Sequence, residues 1–336
     1  MNEPGTAPAG GSEVHVSLAD YVSDANEAYK RDIVDCREVV ARGAGLDYVA
    51  HLTAGNWDFS VQKADSELPS KDLDQACRQL GLMVARIDAT ADQLDSGPLI
   101  RVVVQGNGGA LFYVLKVAGQ NFFAATGNGA RESVDRVDRE LAGLADRAAG
   151  RVGAPSMLWG GYRKRGQTGD QRLFGVSKPT AEYPEPERRR GRKTVNEVTA
   201  GRCIRALDHN NIHFLAVYWR DAPLWRADLF DDTALAPLFQ RATPSGRRNG
   251  YDKVLQQVML QRGRLTGLLA LVRSGRLTRL VLDVARGAIY ILPLDNEHYL
   301  VGVTLLQDRV EEGDKKMTAL HRELMATAFG PDRSSA

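Results

Sequence analysis

The sequence contains little cysteine and no long apolar run. Its three cysteines, Cys36, Cys77 and Cys203, lie far apart in 336 residues, and such scattered cysteine is not a disulfide framework. No apolar stretch approaches the roughly 18 residues that a transmembrane helix requires. Residues 1–12 are rich in Gly, Pro and Ala without a basic start or an apolar core, which is typical of a flexible tail rather than a signal peptide. We therefore expect a cytoplasmic protein in which Cys36 and Cys77 are buried small side chains.

The sequence also has almost no net charge. Lys and Arg number 44 against 42 Asp and Glu, which leaves a formal net charge of +2. A chain with this balance has no overall field that attracts nucleic acid or a membrane, so any basic patch must be local. The hydrophobic fraction of 43% is sufficient for ordinary cores, and a length of 336 residues predicts two domains.

The motifs of several enzyme classes are missing. No GxxxxGK[ST] P-loop, Gly-x-Ser-x-Gly, His-Glu-x-x-His or Cys-x-x-Cys motif is present. The glycine-rich residues 106–109 join two predicted strands, which favours a hairpin turn over a nucleotide loop. Residues 127–129 are favoured as a loop before a helix. We expect no catalytic residue and no cofactor, and we do not expect the chain to be an enzyme.

Two candidate metal sites are weak. His209 and His213 are four residues apart, but the intervening asparagines place them at a turn, and no third ligand is evident. The acidic run Asp228, Asp231 and Asp232 has the oxygen ligands of a cation site, although a solvated turn or a helix N-cap is commoner. We expect no metal site.

What the sequence does contain is an internal duplication. Residues 100–148 and 278–330 each show three short β-patterned runs separated by turn residues, followed by a helical pattern. The strands are offset by about 178 residues, a spacing that we call the repeat offset, and the helices by about 183, which one loop insertion explains. The apolar positions of both helices have the spacing i, i+3, i+7: Val134, Val137 and Leu141 in the first copy, and Met317, Leu320 and Leu324 in the second.

The likeness extends outward from these segments. Residues 71–94 form the clearest amphipathic helix of the chain, with Ser70 as its N-cap and Gly97-Pro98 after its end. Gly263 and Gly267 weaken its counterpart by about 1 kcal/mol each relative to Ala. The remaining predictions are a helix at 17–41 and strands at 46–50 and 57–61 in the first half, and a helix at 194–207, strands at 212–218 and 224–229 and a helix at 251–273 in the second.

We predict five segments along the chain. They are a disordered tail at 1–13, a first unit at 14–149, a basic linker at 150–193, a second unit at 194–330 and a tail at 331–336. The linker is rich in Gly, Pro, Arg and Glu, but Trp159, Tyr162 and Leu173-Phe174 interrupt it. Exposed aromatic residues of this kind tend to mark contacts, so docking on a neighbouring surface is an alternative to a fully exposed linker.

The order helix, β-hairpin, helix, three-stranded meander and helix resembles the roadblock/LC7 family, which is profilin-like and related to longin domains. The residues that carry the resemblance are 287–303, beginning Gly-Ala-Ile-Tyr-Ile, and the equivalent 109–125; it covers roughly 17–149 and 194–330. The chain departs from the family at residues 220–223, Arg-Asp-Ala-Pro, where the hairpin more often carries Gly.

The resemblance implies an α+β fold of two units, each a five-stranded antiparallel sheet flanked by helices. Family members of this kind are usually single domains that dimerise, and joining two copies in one chain favours an internal pseudo-dimer. The implied function is that of a non-enzymatic regulator or scaffold, which presents paired central helices to a protein partner. A small Ras-like GTPase is the candidate partner. A nucleic-acid-associated protein is the alternative, and an enzyme with a site assembled between the copies is a weaker third.

Two basic clusters supply the candidate partner-binding residues. The first cluster is most simply interpreted as a charged, solvated linker. The alternatives are that it binds an acidic protein, nucleic acid or an anionic lipid surface. The candidates are Arg188, Arg189, Arg190, Arg192 and Lys193 in the linker, and Arg247, Arg248, Arg262 and Arg264 around the second central helix.

Overall fold

The computed structural model describes residues 12–22, 27–42, 45–162, 179–182, 195–239 and 241–329. The chain divides into two compact units. Unit 1 is drawn from Met1–Val84, Ile100–Met157 and Gly263–Leu277, and unit 2 from Ala85–Leu99, Leu158–Arg262 and Thr278–Ala336. Each unit therefore includes one short segment from the other half of the sequence.

The first half of the chain forms an antiparallel sheet with the strand order β1-β3-β2-β6-β5-β4. Helix α1 places Tyr29 against His51 and Phe59 on one face, whereas Gly81 of α2 lies against Phe123 on the other. The elements are β1 (Val14–Leu18), α1 (Glu27–Ala41), β2 (Tyr48–Thr53), β3 (Asn56–Lys63), α2 (Ser70–Ala91), β4 (Leu99–Gly106), β5 (Ala110–Val117), β6 (Gln120–Thr126) and α3 (Arg131–Arg151).

The second half forms a sheet with the order β10-β11-β12-β8-β9-β7. Met317 of the last helix covers Gly302 on one face, and Tyr251 packs on Phe214 on the other. The elements are β7 (Thr180–Glu182), α4 (Glu197–Ala206), β8 (Phe214–Trp219), β9 (Ala222–Asp228), α5 (Pro244–Leu260), α6 (Arg262–Leu271), β10 (Leu277–Val284), β11 (Gly287–Pro293), β12 (His298–Thr304) and α7 (Val310–Thr327).

The α+β class, both hairpins and both meanders are confirmed, but the prediction of five strands in each sheet is wrong. Among the described residues each half of the chain contributes six strands. The additional strands are β1, which pairs with β3, and β7, which pairs with β9. Residues 17–22 continue the apolar spacing of α1 without being part of it, so the helix that was expected from residue 17 begins only at Glu27.

The predicted helix at 251–273 is two helices. Helix α5 begins earlier, at Pro244, because the Thr243 hydroxyl accepts the N–H of Gly246 at 3.0 Å and caps it. It ends at Leu260, and α6 starts after Gln261. The equivalent α2 runs without interruption from Ser70 to Ala91.

Part of the predicted linker is ordered. Helix α3 extends to Arg151, and Trp159 is buried. The N–H of Gly160 donates to Asp283 Oδ2 at 2.8 Å, and the Gln307 side chain donates to the carbonyl of Leu158 at 3.0 Å. The interpretation that Trp159 docks on a neighbouring surface is therefore confirmed, whereas Leu173 and Phe174 lie outside the described residues.

The three cysteines are buried free thiols, as expected for Cys36 and Cys77. Burial raises the pKa of each thiol. No helix within the described ranges is long and apolar enough to cross a membrane.

Candidate functional site

The nine predicted partner-binding residues fall in three environments. Five of them, Arg188, Arg189, Arg190, Arg192 and Lys193, lie outside the described residues. Arg247 and Arg248 are buried in unit 2, and Arg262 and Arg264 are exposed on α6. Only the last pair offers a described basic surface on the central helix of the second half.

Arg247 and Arg248 correct the sequence-based expectation, because their guanidinium groups are engaged inside unit 2. Arg247 lies 4.9 Å from the centre of the Phe239 ring and donates to the carbonyl of Leu238 at 2.9 Å. Arg248 donates through Nε and Nη2 to both carboxylate oxygens of Asp228, at 2.7 and 2.6 Å. This two-bond pair holds the pKa of Arg248 above its usual value.

The same contacts explain the acidic run after β9. Asp228 and Asp231 both accept from Arg248, and Asp232 accepts from the ring of His209. These carboxylates therefore satisfy basic groups of the protein itself. The sequence could not show this pairing, because Arg248 is 20 residues away from Asp228.

His213 is a buried neutral side chain. Its Nε2 lies 3.0 Å from the carbonyl of His209, and its Nδ1 accepts the N–H of Leu305 at 3.1 Å. Burial lowers the pKa of His213 to about 4. No cluster of three or more metal-binding side chains occurs in the part of the chain that the structure describes.

A groove in unit 2 brings exposed residues of α5, α6 and the β8–β9 turn together. It has a volume of about 420 Å³ and is lined by Arg220, Asp221, Gln256, Met259, Leu260 and Arg262. We call it the Leu260 groove, since Leu260 lines it and is 78% exposed.

Arg220 is fixed at one rim of the Leu260 groove. It occupies the turn with φ = 55°, a left-handed conformation that favours Gly. Its Nε donates to Glu297 Oε1 at 3.0 Å, its guanidinium carbon lies 4.5 Å from the centre of the Trp219 ring, and the Trp219 indole donates to Glu297 Oε2 at 3.1 Å. The hydrogen bonds from Arg220 and Trp219 lower the pKa of Glu297.

Arg262 lies at the groove where α6 begins. Its Nη1 donates to the carbonyl of Asn296 at 3.3 Å and lies 3.4 Å from the hydroxyl of Tyr299. These two contacts position the guanidinium at the groove.

An equivalent leucine is exposed in the first half of the chain. Leu82 of α2 precedes Leu260 by the repeat offset, and its side chain is 63% exposed. The sequence interpretation missed both leucines, because neither belongs to the apolar stripe of its helix. The sequence does show that a leucine outside the apolar stripe recurs at the repeat offset, and this recurrence could have identified both residues.

A second polar cluster lies inside unit 1. His51 Nδ1 is 2.7 Å from Asp58 Oδ2, and both side chains are fully buried. Thr53 and Tyr21 donate to the same carboxylate at 2.7 and 2.8 Å. The His51 ring is stacked on Phe59 and meets Phe122 edge-on. This closed packing indicates a structural role.

A solved structure resembles part of this chain. The solved structure entitled "MglB with tetrameric arrangement" is similar to this chain with a TM-score of 0.32 and 20% sequence identity, over 40% of this chain and 96% of that one. No family model and no curated protein matches the sequence.

Proposed function

We propose that the chain is a non-enzymatic cytoplasmic regulator or scaffold that binds a protein partner through the central helices of two roadblock-like copies. The observation that carries the proposal is the pair of exposed leucines, Leu82 on α2 and Leu260 on α5, at equivalent positions of the two copies. Exposed apolar side chains at matched positions suit protein contact better than solvation. The described part of the chain offers no constellation that suggests catalysis instead.

The proposal includes an internal pseudo-dimer of the two copies. In unit 1 the N–H of Gly108 donates to the carbonyl of Ser274 at 3.0 Å, and in unit 2 the N–H of Arg286 donates to the carbonyl of Ser96 at 2.9 Å. Gly108 and Arg286 are equivalent residues of the two copies, since the repeat offset separates them, and so are Ser96 and Ser274. The donor lies in the first copy in one bond and in the second copy in the other. Reciprocal contacts of this kind are what a two-fold arrangement produces.

Backbone conformation supports the same relation. Asp95 and Arg273, which are again separated by the repeat offset, both have positive φ, 51° and 50°. Gly97 and Gly275 follow with φ of 77° and 69°. Because positive φ is uncommon for a side chain such as Asp or Arg, its recurrence favours two copies with one local fold.

The partner that we propose is a small Ras-like GTPase, on the strength of the family resemblance. By contacting the switch loops of the GTPase, the helices would favour one conformation of these loops. This would change the rate at which the GTPase hydrolyses or exchanges its nucleotide. The sequence contains no P-loop motif, so in this proposal the GTPase itself carries out the nucleotide chemistry.

The test is to add the purified chain to each small Ras-like GTPase encoded in the same genome. We expect binding to at least one of them, together with an altered rate of nucleotide hydrolysis or exchange. The absence of binding and of any rate change with every candidate would refute the GTPase assignment. The burial of Arg247 and Arg248 removes two of the phosphate contacts that a nucleic-acid-binding protein would need, so we do not propose that alternative.

A further inference from the structure

We propose that β1 is a dimerisation strand, whose free edge pairs antiparallel with β1 of a second copy of this chain about a two-fold axis at Val16. Strand β1 ends the strand order of the first half, and β3 is the one strand that pairs with it among the described residues. It lies outside the five-stranded pattern on which the proposed function rests. The inference therefore goes beyond that function and does not depend on whether a GTPase binds.

The backbone of β1 presents alternate hydrogen-bonding groups to its free edge. The N–H of Ala19 donates to the carbonyl of Asp58 at 2.8 Å, and the N–H of Ala64 donates to the carbonyl of Glu13 at 2.9 Å. In an antiparallel ladder every second residue makes such bonds, so the odd-numbered residues of β1 direct their backbone groups to β3. The even-numbered residues direct their N–H and C=O groups to the free edge. These residues are Val14, Val16 and Leu18.

The same residues carry the apolar side chains of the strand. Val16 and Leu18 are opposite Val61 and Phe59 of β3, so their side chains lie on the face of the sheet that α1 covers. This cover is incomplete, because Val16 is 36% and Leu18 is 43% exposed. Strand β1 thus combines unpaired backbone groups with exposed apolar side chains, and such an edge is a template for pairing with another chain.

The apolar alternation of β1 is symmetric about Val16, which favours a second copy of the same strand as its partner. In antiparallel pairing centred there, Val16 faces Val16 of the second copy and Val14 faces its Leu18. All of these residues direct their backbone groups to the shared edge, so each facing pair is a hydrogen-bonded pair with apolar side chains. A register shift of two residues would instead place Val14 opposite Asp20, or Leu18 opposite Ser12.

Nothing along β1 opposes this pairing. His15 would face Ser17 of the second copy, and Glu13 would face its Ala19, so no like charges meet. The strand contains no proline and no lysine, and its register with β3 has no bulge, although these are the devices that commonly protect an exposed edge. In contrast, β7, which ends the strand order of the second half, is three residues long, follows a proline and ends in a glutamate.

The first test is the oligomeric state of the full-length chain. Sedimentation velocity is measured over loading concentrations of about 1 to 300 μM, because a small interface gives a weak complex. We expect a reversible equilibrium between monomer and dimer. A monomer at every concentration would overturn the proposal.

Opposite charges at position 16 test the two-fold register. In Val16→Lys and in Val16→Glu two like charges face each other at the axis, so each variant alone should dimerise at least about fivefold more weakly than wild type. An equal mixture of the two should associate more strongly than either variant, because opposite charges then face each other. The control Thr180→Lys adds the same charge to β7 and should leave the dimer unchanged. A dimer that persists in Val16→Lys, or a mixture that associates no better than its components, would contradict the register.

Amide hydrogen exchange, followed by NMR, separates strand pairing from a loss of folding. The N–H of Ser17 is directed to β3 and should be protected in wild type and variants at every concentration. The N–H of Val16 is directed to the free edge, so in wild type it should become protected only as the concentration rises. This second measurement holds even if a variant loses β1 from the sheet. Protection of Val16 that does not change with concentration would show that the chain itself covers the edge, and would overturn the proposal.

Discussion

Single residues carry charge into the interior of both units, and several of these charges are paired with an opposite one. Arg101 of β4 and Arg279 of β10, at equivalent positions of the two copies, are both buried and paired with an aspartate of the following helix, Asp138 and Asp314. Such pairs contribute little net stability, but removing one partner leaves a buried charge without compensation. The interior arginines are therefore sensitive positions for the fold, and the exposed ones are not.

Arg248 provides the clearest test of this sensitivity. Arg248→Ala leaves Asp228, which is 2% exposed, without its two-bond partner, so we expect a loss of about 3 kcal/mol in the free energy of unfolding. Urea denaturation measures it. The control is Arg241→Ala, whose side chain is 79% exposed and 3.7 Å from Asp95; its effect should stay within about 0.5 kcal/mol. Equal effects of the two substitutions would contradict the buried pairing.

Asp58 makes the stability of the chain depend on pH. Burial raises its pKa, but the hydrogen bonds from His51, Thr53 and Tyr21 outweigh burial and leave the pKa below its usual value. A lowered folded-state pKa gives stability that is present above the unfolded pKa of about 3.9 and is lost as the pH falls through the folded value. Asp58→Asn should therefore destabilise the chain at pH 7, and the difference from wild type should shrink below about pH 4.

Unfolding by urea at several pH values measures this difference. A constant difference between wild type and Asp58→Asn from neutral to acid pH would show that the carboxylate charge does not matter. Asp221→Asn is a suitable control, since that side chain is exposed in the β8–β9 turn and should show little change at any pH.

At the scale of secondary-structure elements, the second central helix is weaker than the first. Gly263 and Gly267 lie in α6, and an added Cβ meets no atom within 4 Å at either position. Replacement by Ala should therefore stabilise the chain by up to about 1 kcal/mol each, through better helix propensity. In contrast, Gly287→Ala should destabilise it, because φ is +117° and the added Cβ would lie 2.1 Å from the carbonyl oxygen of Thr304. Thermal melts of the three variants give the signs; a lower midpoint for Gly263→Ala would refute the propensity argument.

The elements that the sequence predicts well are those with strong apolar periodicity. The meanders and α2 stand out because their buried positions repeat with the period of one element over many residues. Strand β1 was missed because its Leu18 fits the helical spacing of the following segment. Strand β7 has three residues in a polar region, which is too short to give a pattern.

The candidate site was predictable only in part. Arg262 was identified from the basic clusters of the sequence. The groove also includes Leu260 of α5 and Arg220 of the β8–β9 turn, so its residues come from three different elements. A search for basic clusters cannot distinguish Arg262 from the buried Arg248, because the counter-charge of Arg248 comes from a distant segment. Burial and distant pairing are tertiary facts, and local patterns do not contain them.

At the scale of the whole molecule, the two units do not coincide with the two halves of the sequence. Unit 1 includes Gly263–Leu277, and unit 2 includes Ala85–Leu99. Residues 1–157 alone would lack the first of these segments, and residues 158–336 alone would lack the second. We expect each fragment to be poorly soluble or partly unfolded when it is produced separately, and a soluble complex to form when both are produced together.

Size-exclusion chromatography and circular dichroism of the fragments test this expectation. The intact chain serves as the control. Two independently stable fragments, each with the helix and strand content of its half, would contradict the expectation that each unit needs a segment from the other half of the sequence.

The difference between Gly81 and Met259 has an evolutionary consequence. In an assembly of two identical chains, one gene encodes both surfaces, so every mutation is inherited by both. With both copies in a single reading frame, position 81 is a glycine, at which an added Cβ would lie 3.3 Å from Phe123 Cζ, while position 259 is a methionine. A mutation at one of these positions then changes one copy without changing the other.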